Sequence, residues 1–222
     1  MNYDFYFVHG WGFDKSFWSP VSQILLKKKI AFSIKLIDLG FFGDNCQQEI
    51  FEKSQKRIFV THSYGLNWFL KKKIESDILI NFFSTPSFIN YQKYPKKTEK
   101  ILSKMIKKID FTPEEVLSEF YKNCGLKNYK IIDKKFINQE NLKTALINLK
   151  ENNLEKEFNA IPNSIFSIFS NDDLIFNPAI SRINQMRSDK HKIKFIKTNK
   201  HALPFSEPER TSKIIQSFLN KL

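Results

Sequence analysis

Cysteine is nearly absent: Cys46 and Cys124 are the only two in 222 residues. That is too few for a disulfide framework, and no grouping of His, Cys and carboxylates has metal-ligand spacing, so neither a metal nor another cofactor is expected and a reducing cytoplasm is the expected home. No apolar run approaches the ~20 residues needed to cross a bilayer, and Asp4 with no basic segment before an apolar stretch argues against a secretory leader. Glycine and proline are sparse, at 6 and 8 residues, and no internal repeat or low-complexity linker is visible. Arginine is the scarcest basic residue: four stand against 32 lysines in a chain of net charge +13. Base-reading proteins favour Arg for bidentate contacts, and these lysines lack interleaved aromatics on a common face, so nucleic acid is not expected as a partner, nor is a membrane. Lysine also travels with abundant Asn, Ile and Phe, which fits a compositional origin for the charge as a whole. What is plentiful is apolar material: 41% hydrophobic and 15% aromatic residues, with 23 Phe, suffice for one sizeable core.

The most informative stretch is Thr61-His62-Ser63-Tyr64-Gly65. Arg57 to Val60 before it reads as a short buried strand, and Leu66, Phe69, Leu70 and Ile74 after it have helical spacing. A strand that turns sharply into a helix at x-Ser-x-Gly lifts the hydroxyl above the sheet edge and aims the helix N-terminus at it. A side chain at position 65 would crowd that turn. Thr61 stands where the pattern prefers glycine and predicts a slightly relaxed turn.

Around this stretch strands and helices alternate. Strands are predicted at 3–8, 34–39, 58–61, 78–83, 164–169 and 192–196, and a closing helix at 207–222 has Ile214, Ile215, Phe218 and Leu219 inward. After the first strand, Ser19 is placed as the N-cap of a helix with Pro20 in its first turn. The alternation predicts an α/β fold with a mostly parallel sheet of about six strands and helices on both faces. From 87 to 160 the rhythm stops. Helices are expected at 95–109, from Thr112, where Thr112 and Glu115 would form a capping box, to before Gly125, and at 139–151. The expected division is a core of 1–86 and 161–222 with an all-helical insertion at 87–160.

Catalysis at a serine needs a base, an acid that orients it, and donors for the oxyanion. Asp172 and Asp173 follow the fifth strand, and Asp173 is preferred as the third residue beyond the small residue that ends it. His201 follows the sixth strand at the same sheet edge. The chain order Ser63, Asp173, His201 is that of a triad on a parallel sheet. The expected oxyanion donors are the backbone N–H groups of Tyr64, after the serine, and of Trp11, in the His9-Gly10-Trp11-Gly12 loop. His9 and His62 are read as packing and loop-bonding residues, His191 as exposed among lysines.

His9-Gly10-Trp11-Gly12-Phe13 with Phe17-Trp18, Asp38-Leu39-Gly40-Phe41-Phe42-Gly43, the turn at Ser63, Ser84-Thr85-Pro86-Ser87-Phe88 and His201-Ala202-Leu203-Pro204-Phe205 together resemble the α/β-hydrolase superfamily. Within it they look most like the BioH-type pimeloyl-acyl carrier protein methyl ester carboxylesterases of biotin synthesis. The resemblance covers 1–90 and 160–222 and departs from the family at Thr61, at Leu66, at the extra Asn177 and in the missing leading hairpin. It implies an α/β-hydrolase fold, the triad and oxyanion residues above, 87–160 as a cap, and an apolar acyl channel lined by Trp18 and Phe88. It also implies acyl carrier protein as partner. On a helical wheel Lys96, Lys97, Lys100, Lys104, Lys107 and Lys108 fall within about 120°, a face that could dock an acidic helical protein through Lys97, Lys100 and Lys104, or merely be solvated. The rival readings are a general short-chain carboxylesterase or thioesterase, and a non-catalytic basic binding module on the same fold.

Overall fold

A computed structural model describes residues 3–43, 56–127, 129 and 133–221; Cys46 lies outside them. Six strands, β1 (Tyr3–Val8), β2 (Ser33–Ile37), β3 (Lys56–His62), β4 (Ile78–Phe82), β5 (Ser164–Phe169) and β6 (His191–Phe195), form one sheet of order β2-β1-β3-β4-β5-β6. Every neighbouring pair is parallel. An all-parallel sheet needs cover on both faces, and the sequence supplies strands to match: β1 and β4 are buried at every position. Asp4 is the exception in chemistry, a buried carboxylate on β1 that accepts a hydrogen bond from the Ser33 hydroxyl of β2. Of the outer strands, β6 alternates between buried and exposed positions as a half-covered edge should, and β2 is fully buried only at Ile37.

The helices of this framework are α1 (Ser19–Lys27) and α2 (Tyr64–Lys71); between β4 and β5 come α3 (Pro95–Lys108), α4 (Pro113–Asn123), α5 (Gln139–Glu151) and α6 (Glu155–Asn159); then α7 (Ile180–Gln185), α8 (Leu203–Ser206) and α9 (Pro208–Leu219). No strand lies between β4 and β5 among the described residues. Packing joins α1 to α8 and α9, and α2 to α5 and α6. None of the helices is long and apolar enough to cross a membrane.

Two expected caps are not made. The Thr112 side chain bonds no backbone N–H of α4, so the capping box with Glu115 is absent and the helix relies on Pro113 at its start and on early carboxylates facing its dipole. Ser19 lies inside α1 rather than before it, because a 3-10 turn over Lys15–Trp18 precedes the helix; there Asp14 is the cap, accepting from Ser16 N–H at 2.7 Å.

Chain order reverses at β1: β2 lies on one side of it and β3 on the other. In open parallel sheets the crevice for a ligand opens at the carboxyl ends of strands at such a reversal. The loop after β1 and the turn after β3 therefore meet where a site is expected. Thr61, near that end of β3, pairs in register with Asn81 of β4, and its hydroxyl donates to Asn81 Oδ1 at 3.1 Å. Asn81 Nδ2 in turn donates to the carbonyl of Ser84 at 2.6 Å. Thr61→Val should leave the buried Asn81 oxygen without its donor and cost about 1–3 kcal/mol in chemical denaturation; an unchanged midpoint would mean the bond carries no stability.

Candidate active site

Ser63 joins β3 to α2 with φ 51° and ψ −122°. A residue with a Cβ pays about 1–3 kcal/mol in such sparsely populated regions, and persists there only where its surroundings over-determine it. Here they do. The Ser63 N–H donates to Phe82 O of β4 at 3.0 Å, and Leu66 N–H donates back to Ser63 O at 3.1 Å. The end of β1 presses on the same turn from the other side. A Cβ at Gly65 would lie 2.8 Å from the carbonyl oxygens of both Val8 and His9, and a Cβ at Gly10 would lie 2.6 Å from His62 Nδ1 and 2.9 Å from Ser63 Cβ. Gly65 is thus required by the neighbouring strand more than by the turn itself. Thr61 does not relax the geometry, since its side chain is spent on Asn81.

The acid and the imidazole meet after β5 and β6. His201 Nδ1 and Asp173 Oδ2 are 2.7 Å apart with both side chains fully buried. The other carboxylate oxygen accepts from the N–H groups of Ile175 at 2.8 Å and Phe176 at 3.1 Å. Asp173, not the exposed Asp172, is the carboxylate that reaches His201. With Nδ1–H donating to Asp173, the Nε2 lone pair is free to act as a base, and Nε2 is buried with no hydrogen-bond partner among the described residues. No hydrogen bond joins Ser63 to His201 Nε2 among the described residues; bonds between a nucleophile and its base commonly tighten only around substrate. The two residues are linked through His62, whose Nε2–H donates to the His201 carbonyl at 2.9 Å and whose ring lies 4.8 Å from that of His201. Burial, with the electrostatic influence of the neighbouring His201 ring adding to it, holds the His62 imidazole well below its usual pKa, so it is neutral and serves as a strut.

Tyr64 N–H is the first of α2 and has no acceptor within the helix. Trp11 N–H lies in the loop after β1 that Gly10 brings against the turn, and no backbone carbonyl accepts from it among the described residues. That loop is pinned from above: the Trp11 indole N–H donates to Leu142 O of α5 at 2.8 Å, and the Tyr121 hydroxyl of α4 donates to Gly12 O at 2.5 Å. Asn148 of α5 donates to the Tyr64 hydroxyl at 3.1 Å. Over this turn opens a cavity of about 800 Å³, lined by Trp11, Ser63, Phe88 and Asp173 and, from α3, by Lys97 and Lys104 among others.

The structure does not bring together every residue expected here. Trp18 is not part of the cavity lining: its ring lies under the turn, 4.9 Å from Phe7, 5.3 Å from Phe17 and 6.0 Å from Phe82 in the core. Lys100 likewise lies outside the lining. His191 is buried rather than exposed, bonded to Met186 O and to the Ser167 hydroxyl at 2.7 and 2.9 Å, with burial pushing its pKa down to about 4. Cys124 is no rival nucleophile, since burial, with the Asp173 charge adding to it, raises its thiol pKa. Gln92 carried no sequence signal. Its amide nonetheless accepts from Asn177 N–H at 3.0 Å and donates to Ile175 O at 3.1 Å, which fixes the loop bearing Asp173.

No family model and no curated protein matches the sequence. Solved structures do match over nearly the whole chain. An esterase (EaEST) from Exiguobacterium antarcticum is similar with a TM-score of 0.76 at 12% identity, covering 98% of this chain and 91% of that one. A bromoperoxidase from Bacillus anthracis gives 0.75 at 13%, covering 99% and 92%. The peroxisomal alpha-beta-hydrolase Lpx1 from Saccharomyces cerevisiae gives 0.63 at 13%, covering 100% and 77%. With the six-stranded parallel sheet, these likenesses establish the α/β-hydrolase fold.

Gly65→Ala should force β1 away from the turn. We expect a loss of at least about 2 kcal/mol of stability, on the scale of other overpacked cores, read as a lowered Tm by calorimetry; a variant as stable as the wild type would show that the contact is soft.

Proposed function

We propose that the protein is a serine carboxylesterase acting through Ser63, His201 and Asp173. The observation that carries this reading is the buried Asp173–His201 bond facing the strained Ser63 turn on the rim of one cavity. His201 Nε2 takes the proton of Ser63 as Oγ attacks the ester carbonyl; the N–H groups of Tyr64 and Trp11 receive the oxyanion, each such donor being worth about 3 kcal/mol of barrier. The alcohol leaves with the proton from His201, and water then cleaves the acyl-enzyme by the same route, while Asp173 keeps the imidazole in one tautomer. The solved esterases of the same fold support the chemistry by analogy.

The finer reading is hydrolysis of the methyl ester of pimeloyl-acyl carrier protein, in the cytoplasm. The sequence resemblance supports it, as do the lysines of α3, of which Lys97 and Lys104 line the cavity and Lys100 does not. Faster turnover of methyl pimeloyl-acyl carrier protein than of p-nitrophenyl butyrate would favour it; the reverse order would favour a general short-chain carboxylesterase or thioesterase.

A fluorophosphonate probe should label the wild type and not Ser63→Ala, and well-folded protein left unlabelled would instead favour a non-catalytic binding module. Asp173→Asn lets the side-chain amide donate to Nδ1 and fixes the wrong tautomer. It should lower kcat by about 10³–10⁴ while KM moves little; a loss below tenfold would remove Asp173 from its role.

A further inference from the structure

We propose that the ester itself carries an anionic group, held at the mouth of the cavity by Lys97, Lys104 and Lys108 of α3. This deepens the serine esterase reading, on which it rests, and does not require a carrier protein.

The cavity has two chemical ends. Toward Ser63 its wall is apolar and buried, made by Phe88, Leu102, Val116, Phe120, Leu146 and Leu149. At the α3 side the lining includes Lys97, Lys104, Lys107 and Lys108, all exposed, beside Tyr94, Ile101 and Leu174, which are 57%, 47% and 68% exposed. At about 100° per residue Lys97, Lys104 and Lys108 fall within roughly 40° of one another, next to the stripe formed by Tyr94, Ile101 and Met105. The helix therefore turns a half-apolar, half-cationic face to the cavity. Lys96 and Lys100 are not in the lining, although Lys107, which falls between them on the helical wheel further along α3, is.

Among the described residues none of the four lysines forms an ion pair. Two carboxylates among the described residues line the cavity, and Asp173 is committed to His201, which leaves Glu119. Lysines four residues apart on one helix repel each other, so the cluster is unfavourable until an anion sits among it. A bound molecule that lays an apolar chain along the wall and an anionic group at the mouth answers both ends. Uniform lysine enrichment accounts for a basic surface, but it does not account for cations sharing a cavity wall with exposed Ile101 and Leu174. Docking of an acidic carrier would engage the whole lysine arc, including Lys96 and Lys100, whereas recognition of a group on the ester uses only the cavity side.

The test compares matched esters in which the anion is on one side or the other of the scissile bond. One pair is the p-nitrophenyl monoester of a dicarboxylic acid against the p-nitrophenyl alkanoate of equal length; the other is the butyrate ester of a hydroxyalkyl phosphate against its neutral alkyl counterpart. In at least one pair the anionic ester should have the higher kcat/KM by about tenfold at low salt, the scale of a few partly exposed charge pairs, and the ratio should fall as salt rises. Lys97→Glu with Lys104→Glu should erase the ratio, and the charge-matched control Lys96→Glu with Lys213→Glu should keep it. Neutral esters hydrolysed as fast as both anionic ones would overturn the proposal and leave the esterase reading intact. A binding readout separates the two readings if no ester is turned over: calorimetry should find decanoate bound more tightly than decanol, with the advantage lost in the Lys97→Glu, Lys104→Glu variant. Equal binding of the two would equally overturn the anion site.

Discussion

The site depends on how closely the end of β1 approaches the turn after β3. Two glycines set that distance, Gly10 against His62 and Ser63, and Gly65 against the carbonyls of Val8 and His9. The approach happens at the point where strand order reverses, so two loops that are far apart in sequence leave adjacent strands side by side. Ser63 is then caught between ladders: β4 holds its N–H, β1 blocks the space behind it, and α2 begins immediately after it. A serine held at φ 51° has little freedom left in its backbone. The same approach brings the loop that carries Trp11 against the Ser63 turn through Gly10. Any slackening between β1 and β3 would loosen the Trp11 loop and the Ser63 turn together.

A second layer of bonds joins that framework to the helices between β4 and β5. Each loop that carries chemistry is tied to this segment by at least one long-range hydrogen bond: Trp11 to Leu142, Gly12 to Tyr121, the acid loop to Gln92, and Ala202 N–H, next to His201, to Cys124 O at 3.1 Å. Asn141 donates to Gly40 O at 2.9 Å on the far side. The cavity wall and the oxyanion loop are therefore parts of one bonded structure. A helix shift that widened the cavity would be felt at Gly12 through Tyr121. That coupling gives a physical reason for packing so many aromatic rings around Phe13, which lies 5.7 Å from Phe120 and 5.6 Å from Tyr121.

What could be read in the sequence is what local chemistry dictates. Continuous buried runs such as Tyr3–Val8 and Ile78–Phe82 mark parallel strands, and the order Ser63, Asp173, His201 follows from successive strands ending at one edge. Tertiary contacts decided the rest. Trp18 stands near the Trp11 loop in sequence, but a 3-10 turn rotates it into the core under β1. His191 sits among lysines and was legible only as exposed; its register beside β5 brings Ser167 within hydrogen-bond reach. Gln92 has its partners more than 80 residues away, beyond any local pattern. The lysine arc of α3 was visible as a periodicity, but only the packing of α3 over the cavity divides it into lysines that face the opening and lysines that do not.

That division constrains how the charge and the chemistry coexist. In the proposed mechanism, attack by Ser63 would make His201 an imidazolium, and a dense cationic rim close by would oppose that step. Two features protect it. The Asp173 carboxyl accepts from two backbone N–H groups through one oxygen and lies 2.7 Å from His201 Nδ1 through the other, so an acceptor is already in place on the far side of the imidazole. The lysines are exposed, where salt screens them within about 10 Å, while a buried apolar wall stands between them and the rim of the sheet. The rim lysines can thus attract an anion without unsettling the base, provided the anion and the ester carbonyl sit at opposite ends of the cavity. A short anionic ester cannot satisfy both ends at once, so the span of the apolar wall, more than the number of lysines, sets how far the charge must lie from the bond that is cut.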